Sequence, residues 1–323
     1  MEINKLKEAL ESKIIDSEKV VIIPHNSMDF DAIASAIGLT LVSSHFNKDS
    51  LISYDSNYSF DSGVEIIFDE AYSRYNIISK DEYLKIISDN DLFLLTDVNK
   101  RSLISFNELL NADNTFVIDH HATGVDTVSS NNIYVDTSVS SASEIVTNLL
   151  LELGIFIPKD VANYLLSGII LDTNKLTKNV SANVFDTASY LSRCGAKMSE
   201  VNDYFTEDFV SDRKVQNLVS KLSILTYNIA LMVAHDADRF TKDELAKAAN
   251  YALNYKVDAT FAIAKVSDDE VQVSARSKEK LDVGNIMEAL GGGGNNYSGA
   301  AKVHEHSVDD VKKKLVKVLN HKI

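Results

Sequence analysis

In the stretch VVIIPHNSMDFDAIASAIGL, His25, Asp29 and Asp31 crowd into one turn between an apolar run and a segment of helical spacing. Related placements recur further on: Asp97 closes the apolar run of LLTDV, Asp119, His120 and His121 close NTFVIDHH, and Asp172 closes GIILDT. Carboxylate oxygen and imidazole nitrogen together suit hard or borderline divalent ions. Four separated segments that offer them at strand or helix ends supply what a hydrolytic metal site needs. Taken singly, some of these residues have plainer roles. Asp31 before AIASAIGL reads first as a helix N-cap, the commonest task of an aspartate there, and Asp97 reads as a turn residue. The Asp-His-His triplet has no structural role that calls for it, and the set as a whole points to metal chemistry.

The elements that must position these residues alternate between β-rich apolar runs and helix-period segments, which predicts a layered α/β fold. KVVIIPH, SLISYDS, DLFLLTDV and NTFVIDHH read as strands, and DAIASAIGLTLVSSHF reads as a helix. In open α/β sheets, sites form outside the carboxyl ends of the strands. Residues far apart in sequence are therefore expected to converge in one crevice. SASEIVTNLLLELG reads as an amphipathic helix closing at a glycine, and PKDVANYLLSGIILDTN as a helix with Val161, Leu165, Leu166, Ile169 and Ile170 on its apolar positions. The charged stretch from 190 to 220 reads as the connection between two domains. Beyond it, NIALMVAH is expected to be a strand, TKDELAKAANYALNY a helix, ATFAIAKV and EVQVSARS a strand pair across the turn SDD, and VGNIMEAL a short helix. A glycine run and a final charged helix follow.

With 323 residues, 45% hydrophobic and 24% charged, the chain has enough apolar content for two folded cores and no composition suggestive of disorder. No apolar run is long enough to span a bilayer, and the N-terminus reads as an amphipathic helix lacking the apolar core of a signal peptide. The single cysteine, Cys194, precludes an intramolecular disulfide; a cytoplasmic protein without a membrane partner is the expectation. A net charge of −15 disfavours binding to long nucleic acid, whose non-specific affinity comes from Lys and Arg on phosphates. Any anionic substrate is expected to be small and held locally.

HNSMDFDAIASA, LLTDV, VIDHH and GIILDT resemble, in order and spacing, the four motifs of the DHH phosphoesterases, and SARS with IMEALGGGG resembles the DHH-associated domain that follows them in one branch. The resemblance covers nearly the whole chain. SSASEIV, FDTASYL and VSARS are most similar to the catalytic region of cyclic di-AMP phosphodiesterases. It implies a parallel-sheet DHH metal domain over residues 1–195 and a smaller α/β DHH-associated, nucleotide-binding domain over 215–323, with the site between them. It further implies a pair of manganese ions, with magnesium or another divalent ion as a substitute. His25, Asp29 and Asp97 would hold one ion, and Asp31, Asp97, His120 and Asp172 the other, with Asp97 bridging. Two ions roughly 3.5–4 Å apart can activate a shared water and stabilise both oxygens of an in-line displacement at phosphorus. His121 would touch the substrate phosphate, and Asp119 would orient an imidazole. In the second domain Arg276 would clamp a phosphate or stack on a base, and Gly291, Gly292, Gly293 and Gly294 would bring backbone N–H groups to a phosphate. The bland alternatives there are a solvated arginine and a flexible joint.

Departures from the family pattern accompany the matches. Met28 replaces a proline without loss of a ligand. Asn295 replaces the histidine after the glycine run, so that position cannot change charge near neutral pH. Asn179 and Asn183 stand where many relatives have arginines. The resulting expectation is a manganese-dependent phosphodiesterase opening cyclic di-AMP and also cutting linear pApA. The rival is a nanoRNase with 3′-phosphoadenosine 5′-phosphate phosphatase activity. A non-catalytic nucleotide sensor is disfavoured by the intact ligand set, and a manganese pyrophosphatase by the glycine run and SARS. Homodimerisation is compatible with the sequence but not specified by it.

Overall fold

The computed structural model describes residues 3–60, 63–206, 208–225, 228–278, 280–305 and 307–322. The chain forms two compact units, the first ending at Thr206. In the first unit the elements run α1 (Ile3–Asp16), β1 (Val20–Ile23), α2 (Phe30–His45), β2 (Ser50–Tyr54), α3 (Val64–Ala71), β3 (Ile77–Ser79), α4 (Lys80–Tyr83), β4 (Leu92–Thr96), β5 (Thr115–Asp119), β6 (Asn132–Val135), α5 (Ala142–Glu152), α6 (Lys159–Asp172), α7 (Ala182–Arg193) and α8 (Met198–Tyr204).

The six strands form one parallel sheet in the order β3-β2-β1-β4-β5-β6. Strand order reverses between β1 and β4, which makes the gap beyond their carboxyl ends a topological switch point. Both faces of the sheet are covered, as all-parallel sheets require. Val20, Ile22, Leu92, Leu94, Phe116 and Ile118 join one apolar cluster with α1, α2, α5 and α6, and the alternate residues Val21, Ile23, Phe93, Leu95 and Val117 join another with Tyr83, Ile104 and Phe106. The period of two along each strand sorts the residues onto the two faces. All five apolar positions predicted for α6 are buried.

The second unit contains α9 (Phe209–Val219), β7 (Ser223–Ile224), β8 (Ile229–Val233), α10 (Lys242–Ala252), β9 (Ala259–Lys265), β10 (Val271–Ser277), α11 (Val283–Glu288), β11 (Gly293–Gly294), β12 (Ser298–Val303) and α12 (Val308–Lys322). Its mixed sheet has the order β11-β12-β10-β9-β8-β7, with β8 and β9 parallel and the remaining pairs antiparallel. One face packs on α11 and α12, the other on α9 and α10. The fold class is α/β, as expected.

The stretch from 190 to 220, in which the first unit ends and the second begins, is largely helical. Val201 and Tyr204 of α8 are buried in the first unit's core, while Val215, Leu218 and Val219 of α9 are buried in the second's. Arg213 and Lys214 of α9 are exposed, so its charge faces solvent while its apolar side is buried. The sequence reading also passes over β3, β6, β7, β11 and β12. β3, β6, β7 and β11 have only two to four residues, and β12, SGAAKV, is built mostly of small residues with little strand propensity. Among the described residues, no helix is long and apolar enough to cross a membrane.

Candidate metal centre

His25 follows β1, Asp97 follows β4, and His120 and His121 follow β5, so the sheet alone brings four of the predicted residues to the carboxyl end around the switch point. Asp29 and Asp31 enter with the start of α2, and Asp172 is the last residue of α6. Their donor atoms form contiguous sets: His25, Asp29 and Asp97 are one, and Asp31, His120 and Asp172 another, the atoms within each lying inside 4.8 Å of one another.

Asp97 stands between the two sets. Its Oδ2 is 3.5 Å from Nε2 of His25, and its Oδ1 is 3.4 Å from Nε2 of His120. The second set is completed by Asp172 Oδ2 at 3.1 Å and Asp31 Oδ2 at 3.9 Å from the same His120 nitrogen. The backbone of Asp97 has a φ of +56°, in the left-handed region that a non-glycine residue seldom occupies, while its N–H is held by the carbonyl of Ile118 at 3.0 Å. Aspartate tolerates this conformation better than most residues, and here the turn aims its carboxylate at both sets.

Capping of α2 falls to Asp29. Its Oδ1 accepts from the N–H groups of Asp31 and Ala32 at 2.9 and 3.0 Å, whereas Asp31 lies inside the first turn. Reading Asp31 as the cap misses by two residues because either aspartate satisfies the local pattern. Met28 is buried with Ile33 in the same cluster, at the two positions of a hydrophobic staple around that cap, so its side chain serves the core where the family has proline.

Asp31 is fully buried and is gripped by the N-terminus of α5: Ala142 N–H donates to Oδ2 at 2.7 Å and Ser143 N–H to Oδ1 at 2.8 Å. Ser141 caps α5 by accepting from Glu144 N–H at 3.0 Å, and the Glu144 carboxylate accepts from the N–H and hydroxyl of Ser140, both at 2.7 Å. The SSASEIV segment is thus the cradle of a carboxylate distant in sequence. Gly168 on α6 completes it. A Cβ there would lie 2.4 Å from Ser143 Oγ, 2.7 Å from Asp31 Oδ1 and 2.9 Å from Asp31 Cα. Gly168→Ala is expected to destabilise the protein by about 1–3 kcal/mol, the range for overpacking a tight contact, and to weaken divalent-ion uptake. Thermal unfolding and metal titration of the variant would check both, and a wild-type melting temperature would contradict the close fit.

Asp119 plays a different part. Its Oδ1 accepts from the N–H groups of His120 and His121 at 2.7 and 3.1 Å and lies 2.9 Å from His121 Nδ1, while Oδ2 accepts from Asn99 Nδ2 at 2.6 Å. With both oxygens engaged, Asp119 orients His121. Asn99, absent from the predicted set, also donates to the His121 carbonyl at 2.8 Å. Its one sequence signal is a polar residue two places after Asp97. His121 is exposed beside an open cleft of about 620 Å³ that also borders His120 and Asp172.

Charge in the centre is unbalanced toward acid. Burial disfavours the imidazolium of His25, yet Asp29 and Asp97 outweigh it and hold the group at about 10. Burial opposes His120 in the same way, and Asp172 and Asp97 bring it to about 11. Against its own burial, Asp97 is drawn down to about 2 by His120 and His25. Burial lifts Asp172 to about 6 and raises Asp31 as well. Asp97 Oδ1 and His120 Nε2 are buried without a hydrogen-bond partner. Unpartnered hard and borderline donors ringed by carboxylates fit a divalent cation, the position being electrostatically short of positive charge.

The protonated histidines of the metal-free protein contribute stability that is fully present below the unfolded-state pKa of 6.5 and disappears as pH rises through about 10 to 11. The Asp97 contribution has the opposite sign and is lost as pH falls from its ordinary value of 3.8 through about 2. Because a coordinating imidazole must be neutral, divalent-ion binding at neutral pH is expected to release about two protons and to tighten from pH 6 to pH 8. Calorimetry in buffers of different ionisation enthalpy measures the release. Binding without proton release would contradict this electrostatic account.

The second unit carries the remaining predicted residues. Arg276, half-buried on β10, donates from Nε to Asn250 Oδ1 at 3.0 Å and from Nη1 to its neighbour's carbonyl at 2.8 Å. Burial lowers its pKa from the ordinary arginine value. The glycine run is ordered: Gly291, with φ +83°, ends α11, the N–H groups of Gly291 and Gly292 donate to Glu288 and Met287 carbonyls, and Gly293–Gly294 pair with β12. Asn295 Oδ1 accepts from the N–H groups of Tyr297 and Ser298, both at 2.9 Å, and so shapes the turn into β12.

The profile described as the DHH family, N-terminal domain, matches residues 19–169, and the DHHA1 domain matches residues 221–322. The chain thus carries a DHH-family N-terminal domain followed by a DHHA1 domain. It is 32% identical over 326 residues to the cyclic-di-AMP phosphodiesterase GdpP of Bacillus subtilis, covering 96% of this chain and 49% of that protein. With the cyclic-di-AMP phosphodiesterase PdeA of Listeria monocytogenes the identity is 28%, covering 98% of this chain and 49% of the relative. The DHH chain therefore spans about half the length of these relatives. The crystal structure of an exopolyphosphatase-related protein from Bacteroides fragilis superposes with a TM-score of 0.83 at 20% identity, covering 98% of this chain and 96% of the other. That likeness concerns the fold.

Proposed function

We propose that this DHH chain is a divalent-metal phosphodiesterase that opens cyclic di-AMP and also cuts linear pApA. The observation that carries the reading is the double-facing carboxylate of Asp97, with one oxygen toward His25 and the other toward His120. Similarity to two cyclic-di-AMP phosphodiesterases over nearly all of the chain supports the choice of substrate.

His25, Asp29 and Asp97 would hold one manganese ion, and Asp31, Asp97, His120 and Asp172 a second, with magnesium able to substitute. Asp31 still has a lone pair to offer on each oxygen after accepting its backbone N–H groups. When bound, such ions stabilise charge on the phosphoryl oxygens and lower the pKa of a water nucleophile. His121, with Nδ1 held by Asp119, presents its other nitrogen to the reacting phosphate, where a hydrogen bond strengthens as negative charge develops. Arg276 grips a phosphate or base of the docked nucleotide, and Gly293, Gly294 and Asn295 contribute to the same surface.

Side-by-side turnover of cyclic di-AMP, pApA, 3′-phosphoadenosine 5′-phosphate and pyrophosphate, with manganese and with magnesium, tests the reading. Cyclic di-AMP should be opened fastest. Preference for 3′-phosphoadenosine 5′-phosphate would transfer the assignment to a phosphatase. Arg276→Ala should raise KM about tenfold or more with a smaller change in kcat, the mark of lost uniform binding to a charged group. Steady-state kinetics on pApA check this, and an unaltered KM would remove Arg276 from the substrate surface.

A further inference from the structure

Asp172 is the last residue of α6, and the backbone that follows it is strained. Asn174, Lys175 and Leu176 have φ values of +47°, +57° and +59°, so three consecutive residues lie in the left-handed region. Residues other than glycine enter that region at a cost, asparagine more readily than most, and they do so singly rather than in runs. Ending the helix accounts for the first of the three. The N–H of Asn174 donates to the Leu171 carbonyl at 2.9 Å and that of Lys175 to the Ile170 carbonyl at 2.8 Å, the paired bonds of a Schellman motif, which asks for one left-handed residue. Lys175 and Leu176 are left-handed beyond what that motif needs.

The extra turn is held by one buried residue, Thr173. Its hydroxyl donates to the Ile169 carbonyl at 2.6 Å and accepts from the Leu176 N–H at 3.1 Å, while its carbonyl accepts from the N–H groups of Thr177 and Lys178, both at 2.9 Å. Thr173 thus ties the last turn of α6 to the far side of the left-handed run. Backbone strain persists only where its surroundings over-determine it, and it gathers at functional sites. On one side of this run stands Asp172, with Oδ2 3.1 Å from Nε2 of His120. On the other the chain proceeds to Asn179, Val180 and Ser181 in the wall of the cleft.

We propose that Thr173 is a positioning residue of the metal centre: by keeping the left-handed turn wound, its hydroxyl holds the end of α6 and the Asp172 carboxylate on His120. Without the hydroxyl the strain is released by unwinding, and unwinding draws Asp172 away from the second ligand set. The inference rests on the paired-ion reading of the centre and names what holds one of its ligands.

Thr173→Val keeps the shape of the side chain and removes the hydroxyl. Calorimetric titration of this variant with manganese should show one of two ions weakened at least about tenfold, the size of effect seen when a partner of a metal ligand is lost, and the other nearly unchanged. Thr173→Ser, which keeps the hydroxyl, should bind both as the wild-type protein does. Lys175 is exposed, with Nζ at 6.0 Å from the Phe205 ring centroid, the outer limit of a cation–π contact. Lys175→Gly therefore removes little besides strain and should raise the melting temperature by about 2 °C. Added to Thr173→Val, it should restore most of the lost affinity, because the turn then winds without the hydroxyl's help. A purely structural threonine would lower the melting temperature without this rescue. Wild-type affinity in Thr173→Val, equal weakening of both ions, or no recovery on adding Lys175→Gly would overturn the inference. A crystal structure of metal-free Thr173→Val decides it without any ion: the Asp172 carboxylate should have left His120, and an unchanged contact would contradict the proposal. Failure of the paired-ion reading has a separate signature, a wild-type protein that binds one manganese ion or none, and the metal-free structure would still settle the part of Thr173.

Discussion

Asp97→Ala should lower cyclic di-AMP hydrolysis at least about a thousandfold. Loss of a carboxylate that serves both ligand sets disturbs two positions at once, and even partners of single metal ligands typically cost 10–100-fold when mutated. The expectation follows from the 3.5 and 3.4 Å separations to His25 and His120 and from the left-handed turn that points the side chain between them. Alanine tolerates the φ of +56° less well than aspartate, so the variant also carries some added backbone strain. Circular dichroism and thermal unfolding of the variant separate lost chemistry from lost fold. Wild-type turnover by a folded Asp97→Ala protein would remove the paired-ion mechanism.

His121→Ala should depress kcat about 100-fold or more while KM moves little, the pattern of an interaction made chiefly in the transition state. The Asp119 hydrogen bond is the largest influence raising the pKa of His121, which favours a charged donor beside the reacting phosphate. Asp119→Asn should reproduce part of the defect, because it replaces the acceptor that holds Nδ1 and the two backbone N–H groups. Kinetics on pApA separate kcat from KM. If His121→Ala instead raised KM with unchanged kcat, His121 would be a docking residue of the same kind as Arg276.

Much of the centre is legible in sequence because a parallel sheet writes its strands as continuous apolar runs and puts its functional groups just after them. His25, Asp97, His120 and His121 are found this way, and their convergence follows from strand order at the switch point. The supporting residues are hidden for a physical reason. Asp31 is held by N–H groups more than a hundred residues away, Gly168 is required by a helix-to-helix approach, and Asn99 bonds across neighbouring loops. None of these long-range contacts leaves a local pattern. The two aspartates of the α2 turn show the converse limit: local pattern admits either as the cap, and only the carboxylate geometry assigns capping to Asp29. In the second unit the glycines were visible, but their part in ending α11 and pairing with β12 was not, since β12 itself carries a weak strand signal.

The central claim is that Asp97 joins two ion positions into one centre. Manganese titration of the purified chain, followed by electron paramagnetic resonance of the saturated protein, tests it most directly. The account predicts two ions per chain with the altered spectrum of a spin-coupled pair sharing a carboxylate. A single ion per chain, or two ions giving only the six-line signal of isolated manganese, would contradict it.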